Sequence, residues 1–420
     1  MTDTLPEASA ETDEAGPPEL PELPEFPSPR AAGCPFDPPP NLQALQAEEP
    51  VSRVRIWDGS TPWLITRYDH FRALIGDPRI SADSEHPGYP HRSAGGRTSS
   101  GVLRTFLTMD DPEHARHRRM VTAPFTIRRI EAMRPAVQRI VDDLIDEILA
   151  GPKPADLVDA FALPVPSLVI SELLGVPYQE HEFFQRNTRI VVRRTSTAEE
   201  VDAANGALTD YLDGLLAEKL AHPRDDVLSR LATERVATGE MTRREAARLG
   251  VLLLAAGHET TANMIALGTL ALLRNPDQLA LLREAEDPAL VASAVEELLR
   301  YLNITHSGRR RVALEDIEIG GQTIRAGDGL VFANDIANRD AGAFADPDRL
   351  DLTRDARRHV AFGYGVHQCL GQPLARMELQ VVYGTLYRRI PTLALATEPE
   401  RIEFKHDGIV YGVYELPVTW

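Results

Sequence analysis

Cysteine is almost missing from this 420-residue chain: Cys34 and Cys369 are the only two. Two thiols cannot build a disulfide scaffold or a cysteine-rich zinc fold, and such sparing use points to a reducing compartment. Positive charge is also short. With 45 basic against 63 acidic side chains, the net charge of −18 argues against nucleic acid or an anionic membrane as a partner. The N-terminus has neither a basic start nor an apolar run, so no signal peptide is expected and the chain is expected to be cytoplasmic. What remains, 43% hydrophobic and 26% charged, is the composition of a soluble globular protein long enough for a large core.

Residues 1–40 stand apart. They hold eleven of the 32 prolines and nine acidic residues against one base, Arg30, and so carry −8 of the net charge. Such a stretch buries too little apolar surface to offset its ordering entropy and is expected to be a disordered tail, with a single domain over 41–420. Val54–Ile56 and Trp63–Ile65 read as strands around a turn. Residues 83–101, rich in Gly, Ser, His and Pro, read as a long loop. Helical spacing then dominates: 113–123, 127–149, 155–175, 178–194, 198–221, 225–233, 242–274, 277–285, 289–301 and 370–388. After Arg309 come short strands, among them Ile317–Ile319 and Gln322–Ile324 around Gly320-Gly321. The pattern predicts a mainly α domain with a minor β part.

The run from Leu249 to Leu273 is long and apolar enough to suggest a membrane span, yet its middle holds His258, Glu259, Thr260, Thr261 and Asn263. A helix through the protein core is the better reading, and its polar residues need a reason. Small residues at Ala256 and Gly257 open a groove, and an acid beside a hydroxyl in an apolar helix suits proton delivery into a dry pocket. Taken alone, 256–261 is equally a buried polar cluster satisfied by water.

Phe362-Gly363-Tyr364-Gly365-Val366-His367-Gln368-Cys369-Leu370-Gly371 is a tight loop entering a helix, where unpaired N–H groups favour a thiolate. By itself a lone cysteine there is more often inert packing. A dinucleotide loop is excluded, because Gln368 occupies the third glycine position. Glu297 and Arg300, three apart on a helix, are in isolation an ordinary surface pair.

Together and in this order, the three units resemble the cytochrome P450 family of haem-thiolate monooxygenases, nearest to soluble actinomycete enzymes that hydroxylate macrolides, statins, terpenoids and foreign compounds. Phe362, Gly365, Cys369 and Gly371 match the family's cysteine loop, Glu297 and Arg300 its Glu-x-x-Arg, and residues 256–261 its Ala/Gly-Gly-x-Asp/Glu-Thr-Thr. The likeness runs from about residue 45 and includes the meander 344–349. It implies the family's triangular, α-rich fold with small sheets and one haem b per chain, with dioxygen as co-substrate. Cys369 would be the axial iron ligand, its charge tempered by following N–H groups, with Phe362 packed beside the ring. Ala256, Gly257, Gly363 and Gly371 would shape the haem site, and His114, Arg118, Arg311 and His367 would hold the propionates. Glu259 and Thr260 would relay protons. Glu297, Arg300 and Arg349 would form a structural triad. A metal site at His114 and His117 is the minor alternative, with no thiol near it in sequence.

No dinucleotide fingerprint, P-loop or Fe–S cysteine set is present, so electrons must come from outside. The resemblance implies a ferredoxin and an NAD(P)H-dependent ferredoxin reductase, docking on Arg116, Arg119, Arg357, Arg358 and Arg376. The substrate would be a hydrophobic small molecule enclosed by 83–104, 175–195, the core helix, 302–305 and 409–410, and the protein a monomer. A haem-thiolate protein that uses peroxide, or that only binds its ligand, is the alternative; the acid–threonine pair disfavours both.

Overall fold

The computed structural model of the chain describes residues 23–30, 33, 35–102 and 104–420, with side chains throughout except at 99–102. The first helices are α1 (Pro40–Glu48), α2 (Tyr68–Ile75), α3 (Ala94–Val102) and α4 (Glu113–Thr122). There follow α5 (Ile127–Ala150), α6 (Pro164–Leu174), α7 (His181–Val192), α8 (Ala198–Ala221) and α9 (Val227–Leu231). The long axis is α10 (Arg243–Leu273), succeeded by α11 (Pro276–Glu284), α12 (Pro288–Leu302), short α13 (Asn334–Ala337) and α14 (Gln372–Arg389).

α10 begins with a reciprocal cap: Glu245 N donates to Thr242 Oγ1 at 3.2 Å, and Thr242 N donates to Glu245 Oε2 at 2.7 Å. Its 31 residues are apolar on almost every side because α6, α8, α12 and α14 surround it. α8 starts with the same box at Thr197 and Glu200, and α12 with Asp287 followed by Pro288. The helical core is one continuous apolar cluster, and two smaller clusters lie under the main sheet.

That sheet combines β1 (Val51–Arg53), β2 (Trp63–Ile65), β3 (Ile80–Ser81), β5 (Arg309–Ala313) and β8 (Gly329–Phe332) in the order β1-β2-β8-β5-β3. Only β2 and β8 run parallel. A second sheet orders β4 (Ala155–Asp156), β10 (Pro417–Thr419) and β9 (Ala394–Leu395) as β4-β10-β9. β6 (Ile317–Ile319) and β7 (Gln322–Ile324) form the hairpin expected around Gly320 and Gly321, whose φ angles of 56° and 76° fit a two-residue primed turn. On β5, alternation puts Arg309 and Arg311 on one face and Arg310 on the other.

Several expectations need correction. The expected tail over 1–40 is ordered wherever it is described; residues 1–22 lie outside the described residues. Phe26 N donates to Arg55 O at 2.8 Å, Phe26 and Phe36 are buried, and Arg30 sits 4.3 Å above the Tyr411 ring near Asp335. Two well-placed phenylalanines bury what average composition hides, and proline leaves few N–H groups to satisfy. Among the described residues, packing against the body is thus seen from residue 23 onward. The 83–101 loop contains α3, and the first strand is 51–53, not 54–56. The single helix expected over 155–175 is a strand, a π-turn at Val158–Ala162 and then α6, because Leu163-Pro164 starts a new helix. Similarly, 225–233 divides into α9 and a π-turn over Ala232–Val236.

Candidate active site

The loop before α14 is closed by Cys369 N donating to Phe362 O at 2.9 Å. Gly363 has φ 73°, and a Cβ there would lie 2.9 Å from the Arg309 guanidinium, so glycine admits that arginine to the site. Cys369 faces a largely apolar cavity with about 1260 Å³ of empty space including its mouth. Burial pushes its thiol up, and the Arg309 charge and a hydrogen bond from the Gly371 N–H oppose it. The roof opposite is α10, through Ala256, Gly257 and Thr260. Thr260 Oγ1 donates to Ala256 O at 2.8 Å.

Of the segments expected around the cavity, α10 and 303–305 supply wall; 175–195, 409–410 and the described part of 83–104 supply none. Phe106, Leu107 and Ile170 stand there instead. Gly257 is the reason for the last: a Cβ on it would meet Ile170 at 2.6 Å, so α6 closes directly onto α10. This small residue therefore serves helix contact as much as an open groove.

Glu259 is not on the cavity. It is buried on the flank of α10, with His258 Nε2 3.5 Å from Oε1 and Asn263 Nδ2 3.5 Å from Oε2. Burial acts to raise its carboxyl, but His258, Lys405 and Arg189 outweigh it and leave it below the usual carboxylate range.

At the cavity edge, the structure gathers all four expected basic residues. The His114 and His367 rings are 4.1 Å apart, and Arg118 Nη2 donates to Gln368 O at 2.6 Å. Burial, then Arg311, His114, Arg118 and Arg309, push His367 down to about 2. Arg309, which sequence reading passed over for Arg311, lines the cavity itself; burial and Arg311 bring it down to about 10. The Gly363 signal could have identified it only with the fold in hand. Among the described residues, no carboxylate pairs with Arg118, Arg309 or Arg311, and His114 Nε2, His367 Nδ1 and Arg309 Nε have no hydrogen-bond partner. Buried cations without anions are costly, so this edge fits a ligand that carries its own carboxylates. A porphyrin with two propionates above a thiol meets that demand.

A second acid escaped sequence reading. Glu378 of α14 lines the cavity fully buried, neither oxygen has a geometric hydrogen-bond partner, and burial pushes its carboxyl well above the usual range.

Behind the loop, Glu297 and Arg300 are completely buried and joined twice, at 2.7 and 2.8 Å. The third member is Arg354, whose Nε donates to Glu297 Oε1 at 3.2 Å; Arg349 contributes only its carbonyl, to Arg300 and Arg354. The expected triad residue is thus five positions too early, because the meander turns at Asp346 (φ 44°) and swings Arg349 outward. Of the expected docking arginines, Arg116, Arg119, Arg357 and Arg358 are exposed. Arg376 is not free to dock: its Nε and Nη2 donate to Glu296 at 2.6 and 3.0 Å.

A helix-rich fold with minor sheets, a cysteine under an apolar cavity and a cationic rim awaiting carboxylates define the class of haem-thiolate proteins. The chain belongs to the cytochrome P450 family. The family pattern described as "Cytochrome P450" matches residues 47–411. The chain is 58% identical to Cytochrome P450 GfsF of Streptomyces halstedii over the full length of both, and the GfsF crystal structure superposes with a TM-score of 0.88 over 95% of this chain and 100% of that one. The mycinamicin VIII C21 methyl hydroxylase MycCI of Micromonospora griseorubida, solved with mycinamicin VIII, is 43% identical with a TM-score of 0.89, covering 95% and 100% of the two chains. The 20-oxo-5-O-mycaminosyltylactone 23-monooxygenase of Streptomyces fradiae is 44% identical over 99% of this chain and 96% of its own. The chain is accordingly a monooxygenase, an oxidoreductase that incorporates oxygen from dioxygen. No helix among the described residues is long and apolar enough to cross a membrane.

Proposed function

We propose that this enzyme hydroxylates or epoxidises a hydrophobic secondary metabolite of macrolide size, with Cys369 thiolate as the axial ligand of haem b. One observation carries the assignment: Cys369 and Thr260 line one cavity together with Arg118 and Arg309, Arg311 lies beside them near His367, and among the described residues none of the three guanidiniums pairs with a carboxylate. The largely apolar lining of the cavity suits a hydrophobic ligand. GfsF and MycCI support the macrolide class by their similarity; a terpenoid, statin or xenobiotic is the other hydrophobic choice.

Haem, when bound, supplies the activation of dioxygen. The net reaction inserts one oxygen atom into a substrate C–H or C=C bond and releases the other as water, consuming two electrons and two protons. His114, Arg118, Arg309, Arg311 and His367 bind the propionates; Ala256, Gly257, Phe362, Gly363 and Gly371 shape the slot. Phe106, Leu107, Ile170 and Ile304 keep water out and orient the substrate. Thr260 Oγ1 holds a proton on the cavity side of α10, and Glu259 supplies it from the flank. Electrons arrive from a ferredoxin and its NAD(P)H-dependent reductase. Arg116, Arg119, Arg357 and Arg358, with exposed Tyr364 and Val366 near the cysteine, are the proposed docking face of a cytoplasmic monomer.

The test is spectroscopic. Reduced protein with carbon monoxide is expected to show the strongly red-shifted Soret band of a thiolate-ligated haem. Cys369→His should lose that band, and its persistence would disprove the ligand assignment. A panel of macrolides, terpenoids and statins, scored by the spin-state shift of the ferric haem, then ranks the substrate classes.

A further inference from the structure

Glu259 is held from outside its own helix. The C-terminal segment brings Lys405 to α10, where Lys405 Nζ donates to Asn263 Oδ1 at 3.1 Å. The Asn263 amide in turn donates to Glu259 O at 2.7 Å and lies 3.5 Å from Glu259 Oε2. An ammonium offers three donors and no acceptor, so Lys405 can meet only the oxygen end of the Asn263 amide. The NH₂ end is thereby turned toward Glu259. The approach depends on a glycine: a Cβ on Gly412 would lie 1.7 Å from Asn263 Oδ1, and Lys405 N donates to Gly412 O at 2.8 Å. Other charges share the site. His258 of α10 and Arg189 of α7 face Glu259, and Asp407 and Asp159 lie in the field of Lys405.

We propose that Lys405, acting through Asn263, is a positioning residue that sets the resting orientation of the Glu259 carboxylate and thereby the delivery of protons to Thr260. The inference rests on the relay assigned above. Glu259 does not line the cavity, so its carboxylate must turn in a defined direction to serve Thr260; Lys405 and Asn263 fix its starting point.

The test uses ferric and turning-over holoenzyme of the wild type, Lys405→Met, Lys405→Arg, Glu259→Gln and the Lys405→Met/Glu259→Gln double variant. The thermal unfolding midpoints make a double-mutant cycle, and the Lys405→Met effect is expected to shrink when Glu259 is already Gln. In parallel, NADPH-driven electrons are supplied through a ferredoxin and its reductase with no substrate added. Dioxygen leaves as peroxide with two electrons and two protons, or as water with four of each, so the product ratio reads proton supply. Lys405→Met should raise the peroxide share about twofold or more, Lys405→Arg should restore it, and the carbon monoxide band should not move. Additive midpoints together with an unchanged peroxide share would overturn the inference. A wild-type protein without the red-shifted band would instead remove the function on which it rests.

Discussion

Glu259 and Thr260 are adjacent in sequence, yet the hydroxyl lines the cavity while the carboxylate is buried off it, 3.5 Å from His258. Successive helical residues point about 100° apart, which turns Glu259 to the flank of the face that Thr260 presents. Thr260→Ala is therefore expected to keep haem content and ligand-induced spin shifts while product per electron falls by roughly 10². The missing electrons should appear as peroxide. Fully coupled turnover in this variant would contradict the relay.

Gly363 controls access of Arg309 to the site. Gly363→Ala costs about 1–2 kcal/mol for a left-handed backbone, and its Cβ also meets the guanidinium at 2.9 Å. Reduced haem occupancy on purification is the expected outcome, read as Soret absorbance per chain. Gly96→Ala, at a glycine with no positive φ and a nearest foreign atom at 3.4 Å, serves as the control.

Glu296 links acid stability to the region behind the cysteine loop. Burial acts to raise its carboxyl, but hydrogen bonds from His359 and Arg376 and the Arg376 charge bring it down to about 2 from 4.5. The ionised form is therefore favoured by folding. Its contribution is fully present above pH 4.5 and disappears as pH falls toward 2. Glu296→Gln should lower the unfolding free energy by up to about 3 kcal/mol at pH 6, with the gap to wild type closing below pH 4.5. A gap of equal size at pH 3 and pH 6 would refute the ion-pair account.

The N-terminal segment should tolerate one truncation and not the other. Removing 1–22 is expected to leave haem content and turnover unchanged. Removing 1–39 also takes Phe26, Phe36 and Arg30, and removes the Arg30 charge from Asp335, whose carboxyl burial already pushes up to about 6. The longer truncation should lower the thermal midpoint by several degrees, since each buried phenylalanine is worth about 1.5–3 kcal/mol. Equal midpoints would restore the view of a merely solvated tail.

Local chemistry was legible where it is written in contiguous residues. The 362–371 loop, the span of α10, the Gly320-Gly321 hairpin and the Glu297–Arg300 pair all follow from spacing, because helical and turn geometry acts over a few residues. Errors arose where a partner is remote. Arg349 was expected to complete the buried pair, and Arg354 does so, because the path of the meander decides which guanidinium turns inward. Arg376 reads as a surface arginine until α14 and α12 come together and Glu296 claims it.

Sequence alone determined the family, the cysteine, the acid–threonine pair and the helical character of the domain, since each depends on short-range order along the chain. Tertiary packing alone decided that Glu259 stays off the cavity, that Arg309 joins Arg311 at its edge, that Glu378 is buried on its wall, and that Lys405 reaches Asn263. Those outcomes depend on burial and on contacts between segments distant in sequence, and no spacing rule within a single element carries that information.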